Sequence, residues 1–370
     1  MPGSAVSRRS FLQTASAGLA GALLAPGLQP GQSRPRRREE TVGFAIAGVG
    51  GLTRGQILPA LRETEYARLA GVVTGTPASG QMVVEEFGIP ETSVYSYDTM
   101  DRMADNPDID VVYIVTPNVL HLEHTLAAAR AGKHVFCEKP MAGSAEDCRT
   151  MIDACRTAGV KLAVAYRCQF ELHHLECMRL AREKVFGDLK FVEAGFGFTI
   201  GDPGQWRLRK ELAGGGALMD VGVYALQAAR YLTGEEPTRV SAFETKTDPV
   251  KFAEVDETIT FNLEFPAGAL ASCTSTYNSR GLNHFHAYGQ SGAFWLDPAY
   301  SYRGLRGGSS NGPIEFDHRD HFGVEMDDFA QCILENRESK VAGEEGLKDL
   351  IVVEGIYESI RTGSAVRLGT

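Results

Sequence analysis

The sequence predicts an α/β chain in two parts: an N-terminal doubly wound parallel sheet, then an α+β domain built on a large, open, mainly antiparallel sheet. Three observations lead there. Short apolar runs alternate with helical patterns from residue 42 to about 160, the signature of strand–helix crossovers. The first run closes on Gly48-Val49-Gly50-Gly51-Leu52-Thr53, a turn by which a buried strand passes into a helix. After Ala163-Val164-Ala165 the alternation stops, and strands follow one another across turn signals such as Pro266-Ala267-Gly268. A chain of 370 residues has room for about two such domains. With 43% hydrophobic and 23% charged residues it is not a disordered chain.

Residues 1–40 stand apart as leader and linker. They hold six Arg, two Glu and no Lys, a charge of +4, which leaves −14 on the body of a chain whose total is −10. A net charge of −10 argues against a nucleic-acid binder, which would usually show a basic excess. Ser7-Arg8-Arg9-Ser10-Phe11-Leu12, followed by the small apolar run Ala15 to Leu28, reads as a twin-arginine signal. It predicts export of the folded protein to the periplasm by the twin-arginine machinery. An uncleaved anchor or a tail with a chance Arg pair would use the same residues, and no clean Ala-x-Ala site marks a cleavage point. The run is shorter than the ~20 apolar residues of a membrane span, so none is expected in the mature protein. The seven Cys (137, 148, 155, 168, 177, 273 and 332) are odd in number, scattered and free of C-x-x-C pairs. Free thiols and no metal are expected.

The first domain is placed at 41–164. Its strands are Val42 to Gly48, Leu69 to Val73, Val111 to Val115 and His134 to Cys137, with helices between them at 78–87, 121–131 and 144–158. Ser144 and Asp147 form a capping signal for the last helix. Gly48 permits the tight turn, and Gly50, with Gly51 and Leu52 beside it, lets the backbone approach a pyrophosphate at a helix N-terminus. The third fingerprint position is Thr53, which predicts looser packing or a hydroxyl turned to a phosphate. Ligands of such sheets bind at the carboxyl ends of the strands, where Gly50, Thr74, Asn118 and Lys139 all fall. The second strand ends in Thr74-Gly75-Thr76, without the carboxylate that holds the ribose hydroxyls of NAD. With Arg54 nearby, NADP is favoured over NAD.

The second domain is placed at 165–370, with strands at 189–199, 238–246, 256–265, 269–277, 283–289 and 293–297. One helix opens after Gly214-Gly215-Gly216 and runs to about Leu232, with Asp220 and Tyr224 on one face. An acid and a phenol beside a glycine-rich opening suggest a site. A helix-dipole Asp and a packing Tyr would give the same pattern.

Glu138-Lys139-Pro140 after the fourth strand, with the Gly214 to Asp220 motif, resembles the glucose–fructose oxidoreductase/inositol dehydrogenase (GFO/IDH/MocA) family. The resemblance covers nearly all of the chain after residue 41. Tyr166-Arg167-Cys168, Gln205 to Arg209 and Leu218 to Tyr224 look most like its periplasmic glucose–fructose and aldose–aldose oxidoreductase branch. This implies an N-terminal Rossmann domain and an NADP-dependent enzyme that oxidises an aldose at C1 to a lactone and then reduces a second sugar. In such an enzyme Lys139 would polarise the substrate hydroxyl, Asp220 would orient the sugar, and Tyr224 would act as general acid/base. Lys139 and the nicotinamide would lower the phenol from its ordinary value near ~10. By the same correspondence Pro117, Asn118, His121 and Glu138 would line the nicotinamide end, with Lys139–Pro140 cis. Trp206 and Arg207 would lie over the cofactor, and Tyr166 and Arg167 near the sugar. His121 on its own residues would equally be a surface helix position, and Pro140 a trans proline before a helix.

The resemblance departs in one place. Glucose–fructose oxidoreductase resembles this chain but has a long proline-rich arm where the stretch from Pro30 to Thr41 is short and arginine-rich. Permanent retention of NADP does not follow. The open sheet should form homodimers or homotetramers, as in the family. Three other readings compete: an ordinary NAD(P)-dependent sugar or polyol dehydrogenase with exchangeable cofactor, an exported glycosidase using transient NAD oxidation, and a non-catalytic sugar binder. Lys139, Asp220 and Tyr224 together argue against the last. Loops 197–210 and 300–313 would shape the sugar pocket.

Overall fold

The computed structural model describes residues 40–369; the expected export signal lies outside the described residues. Strand β1 (Val42–Ala47) is buried at every position, as a parallel strand covered on both faces must be. β2 (Ala67–Val73), β3 (Val94–Tyr95), β4 (Val111–Ile114), β5 (His134–Glu138) and β6 (Leu162–Ala165) complete a six-stranded sheet in the order β3-β2-β1-β4-β5-β6. All its pairings are parallel. The order reverses between β1 and β4, and this is the crevice where such sheets take ligands.

The crossovers are helical: α1 (Leu58–Leu61), α2 (Pro77–Phe87), α3 (His121–Arg130) and α4 (Ala145–Ala158). Ser144 caps α4 by accepting from the backbone N–H of Asp147 at 3.1 Å. Thr53–Ile57 before α1 is a π-type turn. Its buried Thr53 hydroxyl donates back to the Gly48 carbonyl at 2.5 Å. The hydroxyl at the third fingerprint position therefore braces the turn and is not directed at a phosphate.

The remainder adds α5 (Leu172–Arg182), β7 (Leu189–Gly197), α6 (Lys210–Ala213) and α7 (Val223–Thr233). It continues with β8 (Arg239–Thr245), β9 (Thr258–Glu264), β10 (Leu270–Thr276), β11 (Asn283–Gly289), β12 (Ala293–Leu296), β13 (Gly307–Ser309) and β14 (Gly312–Ile314). It ends with α8 (His321–Leu334), α9 (Gly343–Thr362) and β15 (Val366–Arg367). Nine strands form one sheet in the order β14-β13-β12-β11-β7-β10-β9-β8-β15. It is antiparallel except for the central β7–β10 pair, so the expectation of a mainly antiparallel sheet is met. Strand β9 alternates buried and open positions, the mark of a sheet with one covered face; helix α7 packs on β7 and β10 of this sheet, and α9 on β8.

Three helices lie where the sequence pattern suggested few or none: α5, α8 and α9. Helix α8 packs back on β1, β2 and α1. Its Asp327 accepts from the backbone N–H groups of Glu65, Tyr66 and Ala67 at 2.9, 2.7 and 3.0 Å. The C-terminal end of the chain thus braces the parallel sheet that holds the crevice. All seven cysteines are free and buried. Among the described residues no helix is long and apolar enough to cross a membrane.

Candidate active site

A cavity of about 910 Å³ runs along the carboxyl ends of the parallel strands and under α7. At one end stands the glycine turn after β1. Gly48 takes φ +106°, where a side chain would be strained and a Cβ would meet the Val115 carbonyl oxygen at 2.6 Å. Gly50 and Gly51 face open space, with no atom within 4 Å of where a Cβ would stand. Gly48, Gly50, Gly51 and Leu52 all line the cavity. This is room for a pyrophosphate against bare backbone at a helix start. Thr74 and Gly75 line the wall at the end of β2, together with Thr76. Arg54 reaches across to them and donates from Nη2 to the Ser79 hydroxyl at 2.8 Å. No carboxylate lines this end; the two acids on the cavity wall are Glu138 and Asp220. The residues present therefore fit a dinucleotide, and one bearing a 2′-phosphate.

The middle of the cavity is built from the ends of β4 and β5. Pro117, Asn118 and His121 line it. Asn118 donates from Nδ2 to the Ala213 carbonyl at 2.9 Å, which ties this loop to α6. His121 is wholly buried and not at the surface, with Nε2 2.8 Å from the Thr116 carbonyl oxygen and Nδ1 3.0 Å from that of Pro140. Burial lowers its pKa to about 4, against the pull of those carbonyls. Glu138 accepts from the Tyr113 hydroxyl at 2.8 Å and from the Lys139 backbone N–H at 3.2 Å. Burial pushes its carboxyl up, against the pull of Lys139 and Tyr113. The Lys139–Pro140 peptide is cis.

The far end carries the charged cluster. Asp220 sits in a π-type turn, Leu218–Gly222, that leads into α7; such turns recur at functional sites. Lys139 Nζ donates to the Asp220 carbonyl at 2.6 Å and to Oδ1 at 3.1 Å. Arg207 Nε and the Tyr277 hydroxyl both donate to Oδ2 at 2.9 Å. Burial alone would raise the Asp220 carboxyl, but Lys139, Arg207 and these bonds hold it well below the usual carboxylate range. Arg207 also lies over the Trp206 ring, 4.5 Å from its centroid; both residues line the cavity.

Tyr224, one turn along from Asp220, accepts at its hydroxyl from Arg167 Nε at 3.1 Å. Arg167 is held in turn by donating from Nη2 to the Tyr300 carbonyl at 2.6 Å. Lys139 Nζ stands over the Tyr224 ring, 4.8 Å from its centroid. This alters the expected electrostatics. Burial pushes the phenol well above its ordinary value, and the cation that opposes this at the hydroxyl is Arg167. Lys139 gives two of its three donors to Asp220.

One expected residue stands elsewhere. Tyr166 does not line the cavity; it is 2% exposed and donates to Asp349 Oδ2 at 2.6 Å, beside Gln227 and Arg230 on the same carboxylate. The chain leaves β6 at Ala165 and turns into a short 3-10 helix at Arg167–Gln169, which sends Arg167 into the cavity while Tyr166 turns into the core. Tyr277, bound to Asp220, and the wall residues Ser79, Tyr97, Tyr302 and Phe322 escaped the sequence reading. Only Tyr302 had a signal, its place in the 300–313 loop. Among the described residues no three His, Cys, Asp or Glu side chains gather as a metal site would need.

Comparison with known proteins matches this geometry to a family. Residues 42–166 match a family model described as "Oxidoreductase family, NAD-binding Rossmann fold", and residues 174–295 match the "GFO/IDH/MocA C-terminal domain". A crystal structure of aldose–aldose oxidoreductase from Caulobacter crescentus, complexed with glycerol, is 47% identical in sequence. It covers 89% of this chain and 100% of that one, with a TM-score of 0.86. D-xylose 1-dehydrogenase [NADP(+)] of Haloarcula marismortui is 32% identical over 89% of this chain and 94% of its own length. D-xylose 1-dehydrogenase (NADP(+)) 2 of Haloferax volcanii is 31% identical over 88% and 99%. The chain belongs to the GFO/IDH/MocA family of oxidoreductases, with an N-terminal NAD-binding Rossmann fold and the family's C-terminal domain.

Proposed function

We propose that the protein is an NADP-dependent sugar oxidoreductase that oxidises an aldose at C1 to an aldonolactone and then reduces the carbonyl of a second sugar. The observation that carries this reading is one cavity in which an acid-free, glycine-lined end meets the Lys139–Asp220–Arg207 cluster and Tyr224. The 47% identity to an aldose–aldose oxidoreductase supports the two-sugar cycle, and the relatives named for NADP(+) and D-xylose support the cofactor and oxidation at C1.

NADP, when bound, supplies the hydride chemistry for both halves. Asp220, the acceptor among three donors, orients the sugar through its remaining lone pairs and fixes the Lys139 ammonium toward the reacting hydroxyl. Tyr224 handles the proton. Its oxygen accepts from Arg167, which leaves its own O–H free to point at substrate. Burial keeps that proton on, the state needed to protonate the acceptor carbonyl. To take the C1 hydroxyl proton instead, Tyr224 must stand as the phenolate, and the Arg167 guanidinium beside its oxygen offsets the cost of that charge.

The test is to purify the protein without added cofactor and follow the near-ultraviolet absorbance of reduced nicotinamide. A band that appears with glucose and vanishes with a ketose or second aldose is the expected result. Oxidation that proceeds only with added NADP or NAD would replace this reading with an ordinary dehydrogenase. The two xylose dehydrogenase relatives fit that second reading equally well.

Two further properties belong to the same reading. Arg8 and Arg9 direct export to the periplasm, and replacing both by Lys should leave the protein in the cytoplasm on fractionation. The solvent side of the nine-stranded sheet, where Phe191 stacks on Tyr288 at 6.1 Å and Leu270 and Phe243 stand exposed, joins copies of the chain. Sedimentation should give a dimer or tetramer, and a monomer would exclude it.

A further inference from the structure

Behind Tyr224, on the side away from the main cavity, lies a second and much smaller one of about 20 Å³, room for about one water molecule. Its wall on α7 is Tyr224, Gln227, Ala228, Tyr231 and Leu232, one helical face. Opposite stand His174 and Met178 of α5, with Cys168, Phe285 and Tyr300 closing it. The wall holds polar atoms without partners. Among the described residues, His174 Nε2 and the Tyr300 hydroxyl are buried and make no hydrogen bond, although these residues are 6% and 2% exposed. Leaving a buried polar atom without a partner is costly, and these two stand on the wall of a space that would admit a small polar molecule.

His174 is held for that role. Glu171, the N-cap of α5, accepts from the His174 backbone N–H at 3.0 Å. Its Oε2 also lies 2.9 Å from Nδ1 of the same ring, and its Oε1 lies 2.7 Å from His173 Nδ1. The carboxylate fixes the imidazole, and the ring and Cys168 line the same cavity. Carboxylate, imidazole and thiol in this order are the parts by which a cysteine is made nucleophilic. The other cysteines are placed differently. Cys137, Cys273 and Cys332 donate to backbone or carboxylate oxygens, contacts that keep a thiol protonated, and burial pushes Cys148, Cys155 and Cys177 up. Burial would raise Cys168 too, but His174 and Arg167 pull its thiol below the ordinary value.

We propose that Cys168 is a modification site, oxidised by hydrogen peroxide in the cavity behind Tyr224, and that this oxidation switches the enzyme off. The thiolate sulfur attacks one peroxide oxygen. The S–O bond forms and the O–O bond breaks, and the leaving hydroxide takes the His174 proton and departs as water. Sulfur is oxidised to sulfenic acid and the peroxide is reduced. The added oxygen fills a space the size of one water and presses on the Tyr224 ring and on Arg167, the residue after which Cys168 follows in the chain. The loss of turnover rests on the role proposed for Tyr224; the oxidation does not.

The test exposes the full chain to hydrogen peroxide for timed intervals, removes the excess with catalase, and unfolds the protein in a sulfenic-acid-trapping dione. Peptide mass spectrometry then reads all seven cysteines. Cys168 should be trapped at least tenfold faster than any other, and His174→Gln should slow it by a similar factor. Turnover should fall in step, recover with dithiothreitol, and be insensitive to peroxide in Cys168→Ala. Oxidation spread evenly over the seven thiols, or starting at another, would overturn the site, as would an unchanged rate in His174→Gln. Trapping at Cys168 with full turnover would overturn the switch. Trapping in a protein that oxidises no aldose would leave the thiol assigned and remove the proposed function.

Discussion

Replacing Asp220 by Asn keeps the shape of the side chain and removes the charge between two cations. The carboxylate accepts from Lys139 Nζ at 3.1 Å, and from Arg207 Nε and the Tyr277 hydroxyl at 2.9 Å each. An amide has one acceptor oxygen. If that oxygen stays with Arg207 and Tyr277, the NH2 group faces the Lys139 ammonium, donor against donor. If it flips, two bonds are lost. A hydrogen bond to a charged group contributes about 1.5–3 kcal/mol, and removing one member of a buried pair costs about 3–5 kcal/mol. These side chains are 12–34% exposed, which favours the lower end. A loss of about 2–4 kcal/mol is expected, or roughly 30- to 1,000-fold at about 1.4 kcal/mol per decade. It should appear in kcat/KM for the aldose. Lys139 still has the Asp220 carbonyl at 2.6 Å, so the fold should survive, with a lowered Tm in thermal denaturation. Cofactor affinity, read by fluorescence titration, should stay within about threefold. A variant with wild-type kcat/KM would refute the reasoning. So would one that loses cofactor binding while keeping sugar oxidation.

Two other substitutions test the glycine-lined end of the cavity and a buried acid of α8. Arg54→Ala should weaken NADP binding by about 10- to 100-fold, the value of a charge-assisted contact to a 2′-phosphate, and leave NAD unchanged in the same titration; an equal effect on both would remove Arg54 from the phosphate site. Glu325 of α8 is wholly buried, and among the described residues neither of its carboxyl oxygens has a partner. Burial, with Glu138 nearby, pushes its carboxyl well above the ordinary value. Its folded pKa is raised, so the stability tied to its proton is present below the unfolded value near ~4.3 and is lost as pH rises from there toward the folded pKa. Glu325→Met should therefore unfold at a higher temperature than the wild type at pH 7, by about 1–3 kcal/mol, with the difference shrinking toward pH 4. A variant no more stable at pH 7 would show that the acid has a partner.

The parallel sheet was legible because each strand is an apolar run closed by a residue that must be special. Gly48 at φ +106° is the clearest case. The end of the chain was not. Helix α9 contains Ile351-Val352-Val353, a β-branched run that favours a strand. It is a helix because packing against α4 and β8 outweighs propensity. β13 and β14 have three residues each, too short for a period, and exist only by pairing. At the site, the motif residues Lys139, Asp220 and Tyr224 were legible as a group because the glycine run and the strand end frame them. Tyr277 was not: it reaches Asp220 only because β10 lies against the turn that carries it. Arg167 was expected near the sugar, but its grip on the Tyr224 hydroxyl depends on the Tyr300 carbonyl, more than a hundred residues away. No local pattern encodes such a contact.

The central claim is that Tyr224, held by Arg167, moves the proton while the glycine end holds NADP, and Tyr224→Phe tests it most directly. Phe keeps the ring contacts with Phe196 and Tyr300 and removes only the hydroxyl. The variant should bind NADP as the wild type does and lose about 10²- to 10⁴-fold in aldose turnover, the usual contribution of a positioned acid/base. Turnover within tenfold of the wild type, with cofactor binding intact, would contradict the account.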